Sequence, residues 1–410
     1  MNMSRLFVLI AAVALVAAAC TTASPQTTST EASASTSTTE EPSVSNPRLL
    51  ILDEEGTILV LDGEGEEIES IAPAPGFRFA QPIWTTTESI LATELAPTES
   101  YVTATALGGE QLWRTAFASP PFYYVASPGD GAPTVLALRN NDVAAGLITE
   151  AIDAKGEVTP IGDEAPFYMS WDPGGERFAT HVAGTRVDVG SDPPQTILET
   201  TAMFQAPIWL DDGLAVLRTS GSSTFLSLWD GDSFTDLGMV RGAARFVGQG
   251  SRIAIQTGAG IDTGGVQALA QALPTIPAGT LTVVDTDTGK FTSVTSESSA
   301  IFQWDPSGTR LLYATLMVEP EPALIWHVWE SGDTVDFGPF SPDPSWFQTI
   351  VPFFDQYAQS VSMWSADGSS FAYPAIVDGV PSILVQEITG SEARVVGQGS
   401  WVAWAPGGST

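Results

Sequence analysis

Three stretches decide the fold: Trp171-DPGGERFAT (171–180), Trp304-DPSGTRLLYA (304–314) and Trp364-SADGSSFAYP (364–374). Each is an aromatic, a short polar turn and an apolar run. Two weaker copies are Trp84-TTTESILAT (84–93) and Trp209-LDDGLAVL (209–217). Phe246-VGQGSRIAI (246–255) puts phenylalanine in the tryptophan place, and a degenerate copy starts near Tyr124 within FYYVASPGDGAPTVLAL (122–138). Trp404-APGGST (404–410) is the last. Arg177, Arg252 and Arg310 each fall six residues after the aromatic, a fixed offset that argues for true repetition.

Each unit continues with short alternating runs separated by Gly/Asp turns, as in STFLSLWDGD (223–232) followed by SFTDLGM (233–239). Period-2 alternation with such turns is the signature of antiparallel hairpins. Four strands in roughly 40 residues make a propeller blade. The eight anchors lie 40, 47, 38, 37, 58, 60 and 40 residues apart. The expected fold is therefore all-β, a single propeller of four-stranded antiparallel blades over 47–410. Eight blades are expected, with seven left open by the weak Tyr124 copy. Trp404 opens an innermost strand, and Arg48-LLILD, ILVLDG (58–63) and EEIESIAP (66–73) supply the other three of that blade. The ring should close by pairing the two ends of the chain, leaving no exposed seam.

The Trp-[Ser/Asp]-x-[Asp/Ser]-Gly-x-x-apolar-Ala pattern resembles the TolB-like β-propeller repeat, itself akin to WD repeats. The resemblance covers most of 80–410. It implies a protein-binding role in a bacterial envelope, and no interaction residue carries over with it. TALGGEQLWRT (105–115) and VVDTDTGKFTSV (283–294) also resemble quinoprotein-type repeats. Members of that group with a quinone cofactor often use adjacent cysteines, which this chain lacks, and no cofactor is expected.

The amino terminus reads as an address. Arg5 precedes an apolar run from Leu6 to Ala19, shorter than the roughly 20 residues of a membrane span, followed by Cys20, the sole cysteine. A charged start, an apolar middle and small residues fit an export signal. The segment resembles a bacterial lipoprotein signal, which implies cleavage after residue 19 and lipidation of Cys20; the family prefers leucine where Ala17 stands. Residues 20–46 hold that cysteine and a Ser/Thr-rich tether with no apolar run to bury. The expectation is a monomer, exported and lipid-anchored to the outer face of a bacterial cell membrane or envelope.

The 410 residues carry 48 Asp plus Glu against 15 Lys plus Arg, a net charge of −33. So few cations argue against a nucleic-acid partner or a basic lipid-binding patch. One cysteine excludes an internal disulfide and a Cys-based metal centre.

Motifs for hydrolases, zinc peptidases and nucleotide binding are absent. His181 and His327 sit in strand patterns of different repeats. The acidic hairpins at Asp62, Glu64 and Glu66, at Asp230 and Asp232, and at Asp285 and Asp287 match no full calcium loop. No metal site is assigned.

Trp84, Trp171, Trp209, Phe246, Trp304, Trp364 and Trp404 are read as structural anchors between blades. Two insertions of about 20 residues explain the long spacings. One spans Gly258–Ala278, with VQALAQAL (266–273) as a short helix. The other spans Phe340–Gln359, between the last strand of one blade and the first of the next. Up-down strand order brings both to one face. The second gathers Trp346, Phe347, Phe353, Phe354, Asp355, Gln356 and Tyr357. Two readings stand: a plug over the channel, and a recognition surface for an envelope protein, peptide or glycan, with an accessory of a transport or envelope-assembly complex as a special case. The enzymatic alternative is an exported, glycosidase-like hydrolase with carboxylates at the channel mouth.

Overall fold

The computed structural model describes residues 47–407, apart from 87, 129–132, 142–145, 163, 165, 191–193, 202–204 and 259–272. Cys20, the tether and the VQALAQAL segment lie outside the described residues, except for Leu273 at its end. The chain forms eight antiparallel sheets, an eight-bladed β-propeller. Blades one to three span 78–117, 123–162 and 166–198; blades four to six span 208–240, 244–295 and 299–340. In blade seven (361–398) the innermost segment is reduced to a bridge between Trp364 and Phe371. Blade eight joins the two ends of the chain: Leu49, Leu50, Ile51 and Leu52 pair with Trp404, Ala403, Val402 and Trp401.

The repeat tryptophans explain how blades adhere. Trp84, Trp171 and Trp364 are at most 6 % exposed. Each indole N–H donates to a carbonyl on the inner strand of the preceding blade: Trp84 to Ala403 at 3.0 Å, Trp171 to Val125 at 3.3 Å, Trp364 to Gln303 at 3.2 Å. The indoles of Trp209, Trp304 and Trp404 reach no acceptor and contribute by packing. A buried ring of this size removes about 200 Å² from water, on the order of 5 kcal/mol of gross transfer energy.

The rest of the repeat serves the first turn of the blade. Asp172 and Asp305 each accept two backbone N–H groups of their own turn, ending at Arg177 and Arg310. The glycine four residues after tryptophan, Gly175, Gly308 or Gly368, has φ of +66° to +68°. A Cβ at Gly175 would strike the previous blade's turn, 2.2 Å from the Pro128 carbonyl oxygen, and at Gly308 or Gly368 it would press on that turn at 3.1 or 3.2 Å. Glycine alone meets both demands cheaply. The arginine six residues on then reaches forward: Arg252 donates to Gly308 O at 3.0 Å and Arg310 to Gly368 O at 2.9 Å. Arg177 instead sits over the Trp209 ring at 4.7 Å.

Two blades depart from the pattern. Pairing of Ala126 with Val135 matches that of Trp171 with Phe178, so alanine holds the tryptophan place in blade two and Tyr124 lies two residues earlier. In blade five Gly248 holds that place and Phe246 is two residues earlier. Leu210 of the preceding blade fills the space, 2.5 Å from where a Gly248 Cβ would stand. Phe246 is nonetheless 1 % exposed, in the core.

Strand direction fixes two faces. Inner strands begin on the face that carries the blade-to-blade connections, and they end at the turns just described. Both insertions belong to the first, loop face. The earlier insertion returns as Thr275–Ile276, which adds a parallel fifth strand outside Phe234–Val240 of blade four. Arg48 opens a second strand, so the chain enters the ring on the opposite, turn face.

Replacing Trp364 with alanine removes a fully buried ring and its interblade hydrogen bond. Denaturant unfolding should show a loss of about 3–5 kcal/mol; a loss under 1 kcal/mol would deny the anchor role.

Candidate functional site

The second insertion turns inward. After Phe340 the chain makes a short helix, Pro344–Thr349, a 3-10 turn, Val351–Phe353, and a further turn, Phe354–Tyr357. Asp343 caps the first helix by accepting from Ser345 N and Trp346 N at 2.9 and 3.0 Å, with Pro344 at its first position. Asp-Pro before an apolar residue is a helix-start signal. It is the signal by which sequence reading could have found this helix.

The segment then runs down the channel, touching inner strands around the ring. Asp355 pairs with Arg245 of blade five at 2.7 Å, and that guanidinium lies 4.3 Å from the Phe354 ring centre. Phe354 packs edge-on against Phe302 of blade six. Tyr357 meets Tyr123 of blade two and Trp401 of blade eight edge-on, and its hydroxyl donates to Phe122 O at 3.3 Å. Gln359 pairs its amide with both N and O of Trp171, each at 3.0 Å. Gln303 does the same in reverse, donating to the carbonyls of Ala358 and Val361 and accepting from Met363 N. These carboxamides stand in for the neighbouring strand that a channel-lining edge lacks.

The seven sequence candidates therefore separate. Trp346, Phe354, Asp355 and Tyr357 are buried at 3–8 % exposure and hold the plug. Phe347 and Phe353 are 38 % and 48 % exposed, and Gln356 is half-buried. Of the seven, Phe353, Gln356 and Tyr357 line a cleft of about 710 Å³ between the plug and blades one and two. Its other walls include Leu95, Phe122, Leu138 and Leu147, with Asn140 and Gln348. Among the described residues no charged side chain lines it.

The other wall residues were not found from sequence, and Gln81 is the least legible of them. Gln81 sits in the inner strand of blade one at φ +51°, where the register slips between Ala80 and Ile83. Such a bulge re-aims a side chain and stores strain. Its carbonyl accepts from the Tyr124 hydroxyl, and its Nε2 donates to Phe122 O at 3.1 Å. Its Oε1 is buried with no hydrogen-bond partner. Nothing in a linear pattern announces a left-handed glutamine.

Phenols around the plug stay protonated. Burial pushes the Tyr357 and Tyr168 hydroxyls each up to about 12, and it raises that of Tyr123, with Tyr357 and Asp355 adding to the effect there. They serve as hydrogen-bond groups and apolar surface.

The seven buried carboxylates among the described residues are all engaged. Glu94 pairs with Arg114, Glu150 with Arg139, Asp188 with Arg186 and Asp355 with Arg245. Asp172, Asp305 and Asp343 accept backbone amides. Among the described residues no three metal-ligating side chains cluster. Asp62 spends its carboxylate on the amides of Glu64 and Glu66, and Asp230 on those of Ser233 and Asp232. The same amides hold Asp230 below the usual carboxylate range, and the Thr288 hydroxyl holds Asp285 low.

His181 lies in blade three, fully buried, with Nε2 3.1 Å from Thr201 Oγ1. His327 bridges Thr315 at 2.8 Å and Asp336 at 2.7 Å in blade six.

No protein-family model matches the chain, and no curated protein matches it in sequence. Solved structures do match in fold. A eukaryotic initiation factor aligns with TM-score 0.54 at 9 % identity, over 88 % of this chain and 99 % of its own. AztD from Citrobacter koseri aligns with TM-score 0.52 at 13 % identity, over 89 % and 99 %. TolB from Acinetobacter baumannii is also similar, at TM-score 0.39 and 12 % identity over 80 % and 82 %, too loosely to carry an argument. The class is the β-propeller. At these identities the likeness is one of architecture alone.

Burial lowers the His181 pKa to about 4. The unfolded chain takes up that proton near pH 6.5, so the contribution is full above 6.5 and is lost as pH falls toward 4. The loss reaches about 3 kcal/mol. Denaturation midpoints measured from pH 7 to 4 should fall less steeply in His181→Asn; identical slopes would remove His181 from the acid response.

Proposed function

We propose that this chain is an exported, lipid-tethered propeller that binds a partner of the cell envelope without chemistry. The cleft on the loop face carries the reading. It is concave, largely apolar and fringed by a few carboxamides, the usual make-up of a ligand site, and its volume falls within the range of about 300–1,000 Å³ typical of such sites. Phe122 and Phe353 expose nearly half their surface in it (47 % and 48 %). Aromatic groups of this kind anchor interfaces. The plug behind them is rigidly held, so the aromatic pair stands on a fixed wall.

The signal-like segment ending at Cys20 supports export and lipidation, and the tether supports a display role. The chain joins the ring on the turn face. The cleft opens on the other, loop face. This suits an accessory of a transport or assembly complex.

Two experiments test the reading. Immobilised 47–410 protein should retain a defined component of envelope extract, and Phe122→Ala with Phe353→Ala should lose it while keeping its melting temperature. Equal retention by that folded variant sinks the cleft as the site. Full-length protein should fractionate with membranes and Cys20→Ser should not; membrane recovery of both would dismiss the lipid anchor.

A further inference from the structure

We propose that the extra residue carried by the fourth strand of every blade keeps copies of this protein from pairing edge to edge, and that blade one depends on it alone. This goes beyond the binding reading and uses no part of the cleft.

The first ground is a register that slips at the same place in all eight blades. In blade one Ala104 faces Trp113 while Thr105 faces Gln111, so Leu112 is one residue too many. In blade eight Val60 faces Glu69 and Leu61 faces Glu67, which leaves Ile68 over. Third and fourth strands slip by one residue in the other six blades too, with the surplus on the fourth strand each time. Two residues against one is a β-bulge. The fourth strand ends its sheet in every blade but blade four. It therefore presents N–H and C=O groups with which another chain could pair. A bulge puts the two halves of such an edge out of step, so a regular strand laid along it can match only one half.

The second ground is that packing does not account for all eight. Ile161, Ile197, Leu237, Val294 and Val396, the surplus residues of five blades, are half-buried against the core. Leu112 and Ile68 are 50 % and 51 % exposed. Their side chains gain little from the bulge, yet the bulge is there. What all eight blades share is the break in the edge.

The third ground is the one edge that is taken. In blade four Thr275–Ile276 pairs with Met239 and Val240, past the surplus Leu237. A strand does join an outer edge of this fold, and it lies wholly on one side of the bulge.

Blade one has no other protection. Its outer strand, Gln111–Phe117, is seven residues long. The one longer outer strand, Asp333–Phe340 of blade six, contains Pro339, and the equally long Phe234–Val240 is the one already covered. Proline removes a ladder donor. The sole charged residue of Gln111–Phe117, Arg114, is turned onto Glu94 at 2.5 Å and over the Tyr101 ring at 3.3 Å. Gln111, Leu112 and Ala116 are exposed. Among the described residues no strand lies beyond this one.

Deleting Leu112 restores one residue against one and leaves the other pairs of the two strands in register. It also removes an exposed leucine, so association that follows is not the work of a sticky side chain. Every strand of the ring lies within 48–404, so the 47–410 protein is the material for the test. Sedimentation equilibrium should find the unaltered protein monomeric up to millimolar concentration, and Leu112→Gln, which keeps the bulge, likewise. The deletion should raise the weight-average mass toward that of a dimer. Ala116→Lys added to the deletion should return the monomer, because lysine on an edge opposes pairing. A folded deletion variant that stays monomeric overturns the proposal, and so does association of the unaltered protein or of Leu112→Gln. Association that Ala116→Lys leaves unchanged overturns the assignment to this edge. If the Leu112 deletion does not fold, judged by circular dichroism, deletion of Ile68 takes its place and its mass is read the same way. If neither folds, the surplus residue is a demand of the blade itself and the proposal is lost.

Discussion

A ring of sheets has one seam and one hole, and both leave backbone N–H and C=O groups without partners. The rest of this molecule follows from how those two problems are met. The seam is closed by Leu49–Leu52 lying against Trp401–Trp404, strands separated by almost the full sequence. The hole is met by the segment after Phe340, whose side chains and carbonyls pair with inner strands around the channel. The −33 charge does not enter either solution. Most of the work is done by neutral amides and buried rings, with one ion pair, Arg245 with Asp355, at the channel wall.

The plug creates the cleft. Phe353, Gln356 and Tyr357 form its plug-side wall, facing blades one and two. The same segment that fills the channel therefore shapes the cleft on the loop face. Plug and recognition surface, two readings of one insertion, therefore draw on different residues of the same segment. Trp346, Phe354 and Asp355 are buried in the plug, Phe353 faces the cleft, and Tyr357 does both.

Much of the fold was legible because a repeat writes the same constraint several times. Tryptophan, aspartate, glycine and arginine recur at fixed offsets, and each has a job set by the neighbouring blade. The forward reach of Arg252 and Arg310 was visible only as an offset, since a sequence does not say which turn a guanidinium will meet. Tyr124 and Phe246 were aligned two residues out of place for a packing reason. Ala126 stands in the tryptophan position of blade two, and Leu210 occupies the space beside Gly248. The path of the second insertion was not legible, because aromatic content is the same for a lid and for a plug. Gln81 was invisible for a stronger reason. Its left-handed backbone arises where two blades and a phenol meet, and no local propensity asks for it.

Arg48 begins a strand that lies between two others, with Trp401–Trp404 on one side and Ile58–Asp62 on the other. Tension arriving along the chain from residue 47 is directed along that strand. It loads both hydrogen-bond ladders in parallel, in shear, rather than peeling an edge strand one bond at a time. Because the carboxyl-terminal strand is one of the two neighbours, a pull on the amino-terminal side draws directly on the closure of the ring. The Ala405 amide, donated to the Arg48 carbonyl at 2.8 Å, sits at the place where such a force enters. A protein held at this end and gripped at the cleft would carry the strain across the height of the ring, through its most continuous pairing.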